Sequence, residues 1–168
     1  MLQVGCDVCR IEAFESMLKE EPAALERIFN PEEHQYALSQ GRPAEHLAGV
    51  FAAKEALGKA VREPSLLGKY YREVTVSHPQ GGAPVLQLSG RLADVFSKQG
   101  IFVTDLSISH DGDYAVAAVL IEKKQLQCDQ CSISLSALEE RGIADRLLQV
   151  VAKDGKVSYR CPVCFRGW

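Results

Sequence analysis

The chain lacks the marks of export and of membrane insertion. Its opening, Met1-Leu2-Gln3-Val4-Gly5-Cys6-Asp7, holds neither a charged leader nor a long apolar stretch. No apolar run approaches the ~18 residues that suggest a membrane span. A cytoplasmic protein with no membrane partner is therefore expected. A basic excess is also missing: 19 Lys and Arg against 22 Asp and Glu leave a net charge of −3, which argues against nucleic acid as a partner. Internal repeats and low-complexity tracts are absent. Cysteine is scarce, and all six cysteines fall in CxxC pairs: Cys6/Cys9, Cys128/Cys131 and Cys161/Cys164. Without an export signal, such pairs read as metal ligands or reduced thiols rather than disulfides.

What is present fits one domain, or a domain of about 120 residues with a small appendage, in a chain of 168 residues. Gln3–Asp7 reads as a first strand. Glu12–Lys19 and Ala23–Phe29 have helical spacing. Asn30-Pro31-Glu32-Glu33 is a helix start, with Asn as N-cap, Pro at the first position and acids in the first turn. Ala44–Arg62 carries Leu47, Val50, Phe51, Leu57 and Val61 at helical intervals with alanines between, and Pro64 ends it. Glu73–Ser77 and Pro84–Leu88 form a hairpin about Pro79-Gln80-Gly81-Gly82. Arg91–Gln99 is a helix closed by Gly100. Phe102–Ser109 and Tyr114–Ile121 are strands joined by a tight turn, and Lys123-Lys124-Gln125 is a domain boundary. Helices with a mainly antiparallel sheet make the fold class α+β.

Two constellations could carry chemistry. Asp7 ends a short apolar strand, while Glu55 and Lys59, four residues apart, share one face of the long helix. Locally, Glu55–Lys59 is equally an ordinary surface ion pair. If Asp7 meets Glu55, two carboxylates with open water positions suit Mg²⁺ bound together with substrate phosphates. Ser107-Ile108-Ser109-His110-Asp111 sets two hydroxyls and an imidazole at a strand end, which fits either a phosphate contact or the polar rim of a hairpin.

These pieces together resemble the holo-acyl-carrier-protein synthases, a family of 4′-phosphopantetheinyl transferases. Gly5-Cys6-Asp7-Val8 is similar to their opening G-x-D-[IV]. Phe51-Ala52-Ala53-Lys54-Glu55-Ala56-Leu57-Gly58-Lys59-Ala60 is similar to their F-x-x-K-E-A-x-x-K-A helix. Gly82-Ala83-Pro84 stands at their Gly-Lys-Pro, and Ser107 to Ala117 resembles their S-[LI]-S-H-x-x-x-Y-A-x-A strand pair. Leu25–Phe29 is similar to the segment before their second helix. The match runs from about residue 2 to 122 in order.

The resemblance implies transfer of phosphopantetheine from coenzyme A to a serine of an acyl or peptidyl carrier protein, releasing adenosine 3′,5′-bisphosphate, as in fatty acid biosynthesis. It implies a homotrimer with active sites between subunits. Asp7 and Glu55 would hold Mg²⁺. Lys59 would contact phosphate or assist proton removal from the serine, and Lys54 would stand on the coenzyme A side. Ser109 and His110 would meet the nucleotide end from the neighbouring subunit, with Gly82 and Pro84 passing near the adenine. The chain departs from the family pattern at Ala13 and Val50, where Arg is common, at Ala83, and at Arg62-Glu63-Pro64-Ser65, which replaces a Gly-Thr-Gly turn. These departures keep an alternative in view: a non-catalytic transferase-like protein whose C-terminal module binds a protein or nucleic acid.

Cys128-Asp129-Gln130-Cys131 and Cys161-Pro162-Val163-Cys164 are two knuckles flanking residues 132–160. Four thiolates so spaced suit a closed tetrahedral Zn²⁺ site, so residues 124–168 are expected to form a small zinc-ribbon-like module behind a transferase domain of residues 1–123. Between the knuckles, Ser136-Ala137-Leu138-Glu139 reads as a capping box before a helix at Ile143–Val151, then Asp154-Gly155 turns into a strand at Val157–Arg160. Cys6 and Cys9 read as small core hydrophobes, or else as a third metal or redox pair.

Overall fold

The computed structural model describes residues 1–62, 68–124, 127–134, 148–151 and 157–165. Strand β1 (Leu2–Arg10) leads into helices α1 (Ile11–Glu20), α2 (Pro22–Ile28), α3 (Pro31–Leu38) and α4 (Pro43–Val61). A short 3-10 turn at Tyr71–Glu73 then opens the hairpin β2 (Val74–Ser77) and β3 (Val85–Leu88). Helix α5 (Gly90–Lys98) precedes β4 (Ile101–Asp111) and β5 (Tyr114–Lys123). The main sheet has the order β1-β5-β4 and is antiparallel throughout. The α+β expectation holds, and each helix and strand expected in residues 1–123 is found within a few residues of its expected bounds.

The fold turns on α4. Its 19 residues are apolar or small on nearly every side, and thirteen of them are buried. A helix apolar all round belongs inside, and α4 lies across the sheet against β1 and β5. Glycine makes that approach close. A Cβ on Gly5 would overlap the Ala56 carbonyl oxygen and the Ala60 nitrogen, both backbone atoms that cannot step aside. A Cβ on Gly49 would come within 2.8 Å of the Ile108 side chain. At its far end α4 stops at Arg62, whose φ of 62° is left-handed. The expected stop at Pro64 lies outside the described residues.

Strand alternation sorts the sheet into two faces. Ala115, Ala117, Val119 and Ile121 of β5 turn to the core with Gly5 and Cys9 of β1. The other face carries Leu2, Val4, Cys6, Val8, Tyr114 and Val116, and it is open: Leu2, Val4 and Val8 are 65%, 64% and 58% exposed. Cys6 and Cys9 therefore point to opposite faces and form no chelating or redox pair within one chain. Cys9 is buried, as read from sequence, whereas Cys6 is exposed.

After the core, β6 (Leu148–Val151) pairs antiparallel with β7 (Val157–Arg160), and a one-turn helix α6 (Pro162–Phe165) follows. The helix expected over Ile143–Val151 is thus corrected at its end. Residues 148–151 are strand because antiparallel pairing with 157–160 satisfies their backbone. Residues 143–147, the capping box at Ser136–Glu139 and the Asp154-Gly155 turn lie outside the described residues.

Candidate active site

The approach of β1 to α4 brings together the first expected constellation. Lys59 Nζ donates to Asp7 Oδ1 at 2.6 Å. Cys9, two residues along the same strand face, donates its thiol proton to Asp7 Oδ2 at 3.2 Å. Glu55, one helical turn before Lys59, accepts from the Tyr71 hydroxyl. Five side chains from β1, α4 and the turn before β2 thus form one centre. Asp7 and Glu55 supply hard carboxylate oxygens, which is the donor chemistry that suits Mg²⁺.

The electrostatics follow from this arrangement. The hydrogen bond to Asp7 raises the Lys59 ammonium above its ordinary 10.5, with the Asp7 and Glu55 charges adding to it. Lys59 therefore remains a cation at neutral pH. Burial, with the Asp7 hydrogen bond and charge, pushes the Cys9 thiol up to about 12. Burial and the bond to Glu55 also raise the Tyr71 phenol. Tyr71 carries no motif signal: its partner is sixteen residues away across a loop, and only the fold joins them.

Lys54 does not belong to this centre. Its side chain is fully buried and its three protons go to Glu33 Oε2 at 2.7 Å, Ile28 O at 2.9 Å and Tyr71 O at 2.9 Å. Desolvation lowers its pKa while Glu33 opposes that shift. The expected role of Lys54 toward coenzyme A is corrected accordingly, since no donor remains for a ligand. Glu33 also accepts from Asn30 N–H and Val76 N–H, both at 2.8 Å, so the pair clamps α3 and β2 to α4.

The residues expected at the nucleotide end lie elsewhere. His110 Nε2 is 3.2 Å from Glu45 Oε1 near the start of α4, and His110, Pro84, His46 and His78 line one cavity of about 140 Å³. Glu45 and Glu55 are ten residues apart, about 15 Å along a helix. Ser109 alternates with His110 and stands on the opposite, exposed sheet face. Gly82 is exposed in the turn before β3. Within one chain, then, the Asp7–Glu55–Lys59 centre and the His110–Pro84 cavity sit at opposite ends of α4, and Ser109 turns away from His110.

The C-terminal cysteines converge. The sulfurs of Cys128, Cys131, Cys161 and Cys164 all lie within 4.8 Å of one another. Tyr159 N–H donates to Asp129 Oδ2 at 2.6 Å, and Asp129 N–H to Tyr159 O at 2.8 Å, so the first knuckle is docked on β7, which leads into the second. Cys128 lies at about 6: burial opposes its ionisation, but backbone N–H donors at Cys161, Cys131 and Gln130 outweigh it. Hydrogen bonding to Cys161 and Cys131 pushes Cys164 up to about 12. Among the described residues, no helix is long and apolar enough to cross a membrane.

The model of the 4′-phosphopantetheinyl transferase superfamily matches residues 3–119. The holo-[acyl-carrier-protein] synthase of Trichlorobacter lovleyi is 42% identical over 123 residues, covering 73% of this chain and 98% of that relative. That of Syntrophotalea carbinolica is 40% identical over 120 residues, covering 71% and 94%. The Chronobacterium ammoniagenes ACPS-CoA complex superposes with a TM-score of 0.64 at 35% identity, over 74% of this chain and 99% of that one.

Proposed function

The chain belongs to the 4′-phosphopantetheinyl transferase superfamily as a holo-[acyl-carrier-protein] synthase, and we propose that Asp7, Glu55 and Lys59 form its catalytic centre. The enzyme transfers 4′-phosphopantetheine from coenzyme A to a serine of a carrier protein, leaving adenosine 3′,5′-bisphosphate. The serine oxygen bonds to the phosphorus that carries the pantetheine arm and gives up its proton to solvent, while the bond from that phosphorus to the bridging oxygen breaks and that oxygen leaves on the bisphosphate. The observation that carries the residue assignment is the junction of Asp7, Glu55 and Lys59 at the β1–α4 contact. The activity displaces the alternative of a non-catalytic binding protein.

Asp7 and Glu55 would hold Mg²⁺, which when bound neutralises charge on the pyrophosphate and its leaving oxygen. Lys59 stays protonated, so it acts as a phosphate contact rather than as the base for the serine. His110 and Pro84 would take the nucleotide end, with Gly82 and Ser109 beside them. Because these residues lie at the other end of α4, a complete site draws them from a neighbouring chain of a homotrimer. The exposed apolar sheet face supports such assembly.

The reading extends to a division at residue 123. Residues 1–123 form the transferase domain, and residues 124–168 a zinc-ribbon-like module holding one structural Zn²⁺ on Cys128, Cys131, Cys161 and Cys164. Four sulfurs within 4.8 Å support it, because soft thiolates in a tetrahedral set favour zinc. Cytoplasmic residence and a place in fatty acid biosynthesis complete the proposal. The deciding experiment incubates the protein with coenzyme A, Mg²⁺ and purified acyl and peptidyl carrier proteins and weighs the carriers. A gain of one phosphopantetheine on a carrier serine is expected. No gain on any carrier would overturn the proposal.

A further inference from the structure

Each of the two carboxylates proposed to hold the cation receives a neutral hydrogen bond from a side chain that no family motif singled out. Cys9 donates to Asp7 Oδ2 at 3.2 Å, and Tyr71 donates to Glu55 Oε1. The two donors approach from different directions. Cys9 shares the strand face of Asp7 and is buried beneath it, while Tyr71 arrives from the turn before β2. We propose that Tyr71 and Cys9 are positioning residues that fix these carboxylates, leaving Glu55 Oε2 and Asp7 Oδ1 to face the cation.

The surroundings make both donors rigid. The Tyr71 ring packs on Phe51 with centroids 5.7 Å apart. Phe51 packs on Phe14 at 5.5 Å, and Phe14 on Phe29 at 6.1 Å. The Tyr71 carbonyl is held by the buried Lys54 ammonium at 2.9 Å. A phenol anchored at ring and backbone has little freedom, so its hydroxyl sets the Glu55 rotamer rather than following it. Asp7 Oδ1 already carries the Lys59 ammonium, which marks that oxygen as the side on which positive charge gathers. Donors that orient ligating carboxylates in this way typically change metal affinity by about 10- to 100-fold when lost.

The inference rests on the reading of Asp7 and Glu55 as the Mg²⁺ ligands, and the test separates the two. Mn²⁺ binding to the intact protein with coenzyme A present is measured by electron paramagnetic resonance, beside the Mg²⁺ dependence of transfer. Tyr71→Phe and Cys9→Ala are each expected to weaken Mn²⁺ about 10-fold and to raise the Mg²⁺ needed for half-maximal rate. Cys9→Ser keeps a donor and should restore binding toward wild type, a recovery that packing alone would not give. Glu55→Gln is the control. If it abolishes Mn²⁺ binding while Tyr71→Phe and Cys9→Ala leave it unchanged, the positioning role is overturned and the ligand reading stands. If Glu55→Gln leaves Mn²⁺ binding intact, the ligand reading itself fails. Should Tyr71→Phe fail to fold, the Cys9→Ala and Cys9→Ser pair decides alone.

Discussion

At Asp7 the proposed chemistry meets the packing of the fold. Its carboxylate accepts from Lys59 and Cys9, and its strand can lie against α4 only because Gly5, two residues earlier on the same face, has no Cβ. Asp7→Asn and Glu55→Gln keep the volume and remove the charge, so transfer should fall about 100- to 1,000-fold while the melting temperature holds, the size of loss seen when a preorganised electrostatic group is removed. Carrier mass and a thermal melt read the two quantities; near-normal turnover in either variant would dismiss the assignment. A second residue-scale effect concerns pH. Burial lowers the pKa of His46, with Glu45 opposing and His78 and His110 adding to the shift, and burial lowers that of His78. Tyr36 stacks on His78 at 4.8 Å and meets His46 edge-on at 5.9 Å. A histidine held below 6.5 binds fewer protons folded than unfolded, so its penalty is absent above pH 6.5 and grows as pH falls through that value toward the folded pKa. The double variant His46→Gln/His78→Gln should therefore lose less melting temperature than wild type between pH 7 and pH 5. Superimposable profiles would count against this.

Among the elements, α4 was the most legible from sequence and also the most misleading about one side chain. Its apolar spacing gave the helix, and the four-residue interval gave Glu55 and Lys59 a common face. Lys54 belongs to the same motif, yet it points the other way, into the junction with α3 and β2, where only the folded chain supplies Glu33, Ile28 O and Tyr71 O. Partners 17 to 26 residues away leave no local pattern to read, and the same holds for Tyr71. The end of the expected Ile143–Val151 helix failed for a related reason: Leu148–Val151 is too short for periodicity to decide, and the partner strand settles it. The Lys54–Glu33 pair makes a stability prediction. Both side chains are fully buried, so Lys54→Met strands a carboxylate and should cost about 3–5 kcal/mol in denaturant unfolding. Adding Glu33→Gln should recover part of that loss. A single variant as stable as wild type would show the pair to be dispensable.

At the scale of the whole molecule, two proposed units answer to different forces. Residues 124–168 have too little apolar surface to fold alone, and metal binding supplies about 10 kcal/mol or more to such a unit. Each thiol must lose its proton to bind, so a chelator or acid should melt this segment first, with transfer to a generic carrier largely kept. Metal analysis of the full chain and of one truncated after Lys124 should find one zinc and none; equal content would refute the site. The transferase domain instead carries unspent apolar surface. Leu2, Val4, Val8, Tyr114 and Val116 form a contiguous exposed patch on one sheet face, of the kind that marks an interface. Three copies arranged head to tail in a ring would cover it, and a closed ring also lets the Asp7–Glu55–Lys59 end of one α4 meet the His110–Pro84 end of the next. Val8→Lys should thus yield monomers by light scattering and abolish transfer, although Val8 touches no proposed ligand. Subunit exchange tests the sharing directly. Glu55→Ala and His110→Ala are each expected to be inactive. Mixed in equal amounts and allowed to exchange, they should regain about a quarter of wild-type activity, because one ring interface in four pairs an intact Glu55 with an intact His110. A mixture that forms trimers and stays inactive would place both residues in one chain's own site, and a monomer that stays active would remove the ring altogether.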